Sequence, residues 1–152
     1  MVLPPVLRPY QSAAIQKVRE KLRAGAKRIV LIAPTGSGKT VMGADMIRTA
    51  LLKSSRSLFL AHRKELIDQT HKKLAQFGVA AGVIMANDKR HDPWLPVQVA
   101  SVQTLVNRLD KKPDVQIIIV DECHHAMSDT YIKILDAYPN ATIIGLTATP
   151  WR

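Results

Sequence analysis

Short apolar runs alternate along this chain with stretches in which apolar residues return every three or four positions. The runs from Arg28 to Ala33, Ser57 to Ala61, Val97 to Ala100, Val115 to Val120 and Thr142 to Leu146 read as buried strands. A weaker sixth candidate runs from Val79 to Met85. Between them lie four stripes at helical spacing: Ile15, Val18, Leu22; Leu66, Thr70, Leu74, Phe77; Val102, Leu105 or Val106, Leu109; and Tyr131, Ile134 or Leu135, Tyr138. Strands that are apolar throughout, separated by amphipathic helices, predict an α/β fold built on a mainly parallel sheet with helices on both faces. In such sheets ligands bind beyond the carboxyl ends of the strands. The polar segment from Ala86 to Pro96, with two prolines, breaks both periods and reads as a surface loop.

Composition adds a size and a class of partner. The chain has 152 residues, of which 47% are hydrophobic, enough for one well-buried core and a single domain over residues 1–152. The formal charge of +10, from 22 Lys and Arg against 12 Asp and Glu, suits a polyanionic partner. Plain solubility charge explains it equally well. With Cys123 as the single cysteine no internal disulfide can form, and a cytoplasmic setting is expected. The first residues lack the basic start and apolar core of a signal peptide, and no apolar run is long enough to span a membrane. No repeat or oligomer signal stands out, so a soluble monomer is expected. The chain stops two residues after Pro150, and this reads as a cut at a domain boundary.

The segment Ala33-Pro34-Thr35-Gly36-Ser37-Gly38-Lys39-Thr40 follows one of the strand patterns and opens a helix. Ala33 stands where the usual phosphate-loop pattern has glycine. Gly36 and Gly38 let the backbone turn several N–H groups toward one point, and the helix N-terminus adds partial positive charge. Lys39 would then reach the β- and γ-phosphates of ATP and the Thr40 hydroxyl would bind Mg²⁺.

A second polar feature interrupts an apolar run. The strand from Gln116 to Val120 ends in Asp121-Glu122, two carboxylates that need a cation or solvent. Beside a phosphate loop, Asp121 is expected to hold Mg²⁺ through its water shell and Glu122 to orient and deprotonate the attacking water. Cys123, His124 and His125 follow. Three consecutive residues without a CxxC or HxxxH partner make a poor zinc site. Cys123 is expected in the core, His124 near the γ-phosphate and His125 on a surface or turn.

Taken together, the motifs in this order resemble those of the DEAD/DEAH-box superfamily 2 helicases, in the variant spelled Asp-Glu-Cys-His, over essentially the whole chain. In style they are similar to restriction-enzyme motor subunits and to phage and repair helicases. The resemblance implies the first RecA-like, phosphate-loop NTPase domain of such a motor. Leu7-Arg8-Pro9-Tyr10-Gln11 resembles the adenine-reading motif, which implies that Gln11 bonds the adenine edge and Arg8 stacks on its face. With Pro34, Thr35, Gly36, Ser37, Gly38, Lys39 and Thr40, these residues make up the expected ATP site. His62-Arg63-Lys64 lies in a segment that resembles motif Ia. Ser101, Gln103 and Thr104 lie in the next backbone-contact motif, where Ser101 replaces the more common Thr. Both imply contacts to nucleic-acid phosphate without sequence choice, DNA being favoured over RNA. Leu146-Thr147-Ala148-Thr149-Pro150 resembles motif III, with Thr147 and Thr149 coupling the two sites near Asp121 and His124.

The family's motifs IV to VI have no counterpart here, and the resemblance places them, with the arginine fingers, on a second RecA-like domain. Such a finger is worth about 10³ to 10⁵ in turnover. The expected function is therefore the ATP-binding first motor domain of a nucleic-acid-dependent ATPase, a helicase or translocase, with little turnover alone. The alternative is an ATP-dependent nucleic-acid-binding switch or sensor that does not unwind. Lys17, Arg19, Lys21, Arg23, Lys27, Arg28, Lys72 and Lys73 read as solvated helix faces. Lys89 and Arg90, with Trp94 nearby, are further candidates to touch nucleic acid.

Overall fold

The computed structural model describes residues 5–33, 38–123 and 128–148. Helix α1 (Pro9–Arg23) leads into β1 (Arg28–Ile32), α2 (Lys39–Leu52), β2 (Ser57–Ala61), α3 (Lys64–Gln76) and β3 (Gly82–Ile84). Then come β4 (Val97–Ser101), the single turn α4 (Val102–Leu105), a 3₁₀ turn (Leu109–Lys111), β5 (Ile117–Asp121), α5 (Asp129–Asp136) and β6 (Thr142–Thr147). The six strands form one sheet in the order β1-β6-β5-β2-β4-β3. Every pairing is parallel.

The side chains explain why the sheet is parallel and covered. Along β5, Ile119 packs with Ile15, Val18, Met42, Ile47, Ile67 and Leu74 of α1, α2 and α3. Its neighbours Ile118 and Val120 pack on the opposite face with Leu105, Tyr131, Ile134 and Leu135 of α4 and α5. A strand sandwiched this way must be apolar on both faces, as β2, β4 and β5 are. Pro9 opens α1 at a position where its missing N–H costs nothing. The Gln11 side chain completes that start, its Oε1 accepting from the Arg8 N–H at 2.8 Å.

Two sequence expectations need correction. Strand β1 is not buried throughout: Ile29 and Leu31 face α1, while Val30 and Ile32 are each 52% exposed. It lies at the edge of the sheet, and no described residue covers that half of it. The third helical stripe does not form one helix either. Only Val102 to Leu105 make an α-turn, and Leu109 to Lys111 make a 3₁₀ turn, separated at Arg108, whose φ of −129° and ψ of 31° are not helical. This segment crosses over β2 to reach β5, and burying Val102 and Leu105 against the sheet takes precedence over helical continuity.

The segment after β3 is a surface loop, as its polarity predicts, but a fastened one. Arg90 grips Asp88 in bidentate fashion, Nε to Oδ1 at 2.9 Å and Nη2 to Oδ2 at 2.7 Å, and also reaches Asp68 of α3 at 2.7 Å. The guanidinium holds the Asp88 carboxyl down at about 2, below its ordinary 3.8. A guanidinium committed to two carboxylates fastens the loop to α3. Arg90→Ala is expected to cost about 1–3 kcal/mol of stability by removing the side-chain partner of Asp88, which keeps only the residue-90 backbone N–H at 2.8 Å, measurable by urea denaturation, with little effect on oligonucleotide affinity. Because the folded pKa of Asp88 is depressed, its contribution is complete above the unfolded pKa near 4 and is lost as pH falls toward 2. The difference between wild type and Arg90→Ala should therefore shrink in that window.

Candidate nucleotide and nucleic-acid edge

The strand order sets the residues of interest in a row along the carboxyl edge of the sheet. Beyond β1 the chain passes through the phosphate-loop segment into α2, which begins at Lys39. Beside it β6 ends at Thr147, paired in register with Ile32. Next, β5 ends at Asp121, paired with Leu146. Then comes β2, which ends at Ala61 just before His62 and Arg63, and then β4, whose Ser101 is paired with Ala61. With neighbouring strands about 4.8 Å apart, Lys39 and Asp121 lie within reach of one small ligand. The His62–Ser101 segment occupies the far half of the same edge.

At the first end, the geometry ties the adenine-motif segment to the phosphate loop. Gln11 is buried at 4% exposure although it is polar, and its side-chain amide lies against Gly38. Gly38 has a φ of +78°, which only glycine adopts freely, and a Cβ there would strike the Gln11 Nε2. Gly38→Ala is therefore expected to weaken ATP binding and to lower Tm together, by left-handed strain of about 1 kcal/mol or more and by expulsion of Gln11. Calorimetric ATP titration beside a thermal melt measures both. Arg8 is exposed next to Gln11. Lys39 and Thr40, half-buried, occupy the first turn of α2. Pro34, Thr35, Gly36 and Ser37 lie outside the described residues, as do His124, His125 and Thr149.

In the middle of the row, Asp121 is 3% exposed. Burial pushes its carboxyl pKa up, and the nearby Lys39 charge and the Glu122 N–H, which donates to Oδ1 at 2.8 Å, oppose that shift. Such a carboxylate favours a cation beside it. Among the described residues no group of three or more His, Cys, Asp and Glu converges. Cys123 packs in the core as expected, and burial pushes its thiol pKa up. Gly145 of β6 passes so close that a Cβ there would meet the Cys123 Sγ at 2.7 Å. This glycine, which the sequence reading did not single out, keeps the end of β5 seated against β6. Thr147 is fully buried, and its carbonyl accepts from the Ala33 N–H at 2.9 Å.

In the far half of the edge, Ser101 Oγ donates to Gln103 Oε1 at 3.0 Å, and Gln103 Nε2 donates to the His62 carbonyl at 3.3 Å. Arg63 Nε donates to His62 Nε2 at 3.2 Å. The Arg63 Nη2 and the His62 Nε2 each lie 3.5 Å from Glu122 Oε2. Lys64 is exposed at the start of α3. Thr104 is half-buried, and its hydroxyl accepts from the Ala86 N–H at 3.2 Å, so it supports the loop after β3. The contact that joins Arg63 to Glu122 is absent from any sequence signal, since 59 positions separate the two residues.

Residues 5–152 match the family described as "Type III restriction enzyme, res subunit". The chain is 37% identical over 158 residues to the type I restriction enzyme EcoAI endonuclease subunit of Escherichia coli, covering 94% of this chain and 19% of that protein. It is 30% identical over 176 residues to the ATP-dependent RNA helicase DHX58 of Mus musculus, covering 95% of this chain and 25% of that protein. Among solved structures, the helicase domain of Hef from Pyrococcus furiosus superposes with a TM-score of 0.76 at 26% identity. That match covers 96% of this chain and 33% of the other. The UvsW helicase of bacteriophage T4 superposes with a TM-score of 0.75 at 21% identity, over 95% of this chain and 53% of the other, a likeness of fold. The chain thus spans less than a third of the length of these curated relatives. Among the described residues no helix is long and apolar enough to cross a membrane.

Proposed function

The chain belongs to the family of the type III restriction enzyme res subunit, a helicase-type ATPase motor family with a RecA-like α/β fold, and on that footing we propose that it is the ATP-binding first motor domain of a nucleic-acid-dependent helicase or translocase. The observation that carries this reading is the row along one sheet edge: Lys39, Thr147, Asp121–Glu122, His62–Arg63, Ser101–Gln103. A nucleotide at one end and a nucleic-acid backbone at the other would meet at the acidic pair.

In this reading Gln11 and Arg8 hold the adenine, and the phosphate loop with Lys39 holds the phosphates. Thr40 and Asp121 hold Mg²⁺, which supplies charge neutralisation of the phosphates when bound. Glu122 takes the proton of the attacking water, and His124 lies near the γ-phosphate. Arg63 and Lys64 carry the backbone charge contacts, with His62, Ser101, Gln103 and Thr104 bracing that segment. Thr147 and Thr149 link the two halves. The relatives are several times longer, which supports a second RecA-like domain in the parent protein that supplies the arginine fingers. DNA is proposed over RNA as the track.

Titrating Mg-ATP and then a single-stranded oligonucleotide into the protein at low and high salt tests the reading. Saturable binding of both is expected, the second weakening steeply with salt. Binding of neither ligand would refute it.

A further inference from the structure

We propose that Arg63 is shared between the catalytic carboxylate and the track: it holds Glu122 when no nucleic acid is bound, and a backbone phosphate takes it away. The inference rests on the functional reading above and adds to it a path by which the track reaches the hydrolytic site. Glu122 stands at a φ of +51°, in the left-handed region, at the very end of β5. Its Oε2 lies 3.5 Å from Arg63 Nη2. A carboxylate oxygen turned to a guanidinium in the turn after β2 is not turned to a water beside a γ-phosphate.

The arrangement suits exchange. Apart from Glu122, Arg63 is tied to its chain neighbour, its Nε lying 3.2 Å from His62 Nε2, and that nitrogen is itself 3.5 Å from Glu122 Oε2. The Arg63 side chain is 57% exposed. A half-exposed ion pair at this distance is weak, whereas a phosphate offers a guanidinium two parallel charge-assisted bonds. Nucleic acid therefore wins the competition at little cost. The Ser101–Gln103–His62 chain of hydrogen bonds keeps the turn after β2 fixed to the end of β4 and to α4, so only the Arg63 side chain needs to move. Reciprocity follows: whatever nucleic acid spends on breaking the pair, removal of the pair must return as tighter binding.

The test is a double-mutant cycle read as oligonucleotide affinity, by fluorescence anisotropy of a labelled single-stranded DNA at low salt without nucleotide. Glu122→Gln is expected to bind about two- to five-fold more tightly than wild type, the size of a weak exposed pair. Arg63→Gln is expected to bind more weakly, and in its background Glu122→Gln should add nothing. An equal gain in both backgrounds would mean that only the general field of one lost carboxylate was felt, and would overturn the proposal. So would the absence of any gain in the single variant. If the wild-type protein binds no oligonucleotide, the functional reading fails and this inference with it. If it binds but shows no coupling, only the inference fails.

Discussion

Replacing Glu122 with Gln is expected to lower phosphate release by about 10² or more, the range a positioned general base contributes, while Mg-ATP binding stays nearly intact. The substitution keeps the size and shape of the side chain and removes only its capacity to take a proton. Asp121 remains to favour a cation: its burial, the Lys39 charge and the Glu122 backbone N–H are unchanged, and losing the neighbouring Glu122 charge removes a repulsion that raised its pKa. Single-turnover release with protein in excess over labelled ATP detects even slow hydrolysis, and a calorimetric titration reports the binding. Turnover that survived the change would remove Glu122 from the role of base.

The second large effect concerns Lys39. Its ammonium is the first charged group of α2 and lies close enough to bias Asp121. Hydrogen bonds to charged groups contribute about 1.5–3 kcal/mol each. Two such bonds, to the β- and γ-phosphates, therefore predict a loss of about a hundredfold or more in ATP affinity for Lys39→Ala. The fold should tolerate the change, since Lys39 is half-buried in the first helical turn and absent from both hydrophobic clusters. A thermal melt close to that of wild type together with lost nucleotide binding is the expected pair of results. An unchanged affinity would mean that the phosphates sit elsewhere.

Much of this was legible in the residues themselves. The apolar runs give β2 with its bounds and the other strands to within a few residues, because β2, β4 and β5 are buried on both faces and leave no alternation to misread. The acidic pair is legible because two carboxylates end an otherwise unbroken apolar strand. Legibility fails where tertiary context decides. Nothing in Arg28 to Ile32 says that half of it lacks a cover, since sheet order is not a local property. The stripe from Val102 to Leu109 reads as a helix, but the crossing to β5 breaks it after one turn. Arg90 reads as a candidate phosphate contact, and its hold on Asp68, 22 positions earlier, has no local signal. Gly145 and the Arg63–Glu122 pair likewise depend on strand neighbours that only the folded sheet brings together.

The most direct measurement of the central claim is ATP turnover by this chain, first without nucleic acid and then with single-stranded DNA, duplex DNA and RNA. The account predicts slow turnover without nucleic acid and no unwinding, because the proposed reading puts the arginine fingers on a second domain. Rapid hydrolysis without nucleic acid and indifferent to all three of them, or efficient unwinding by this chain alone, would contradict it.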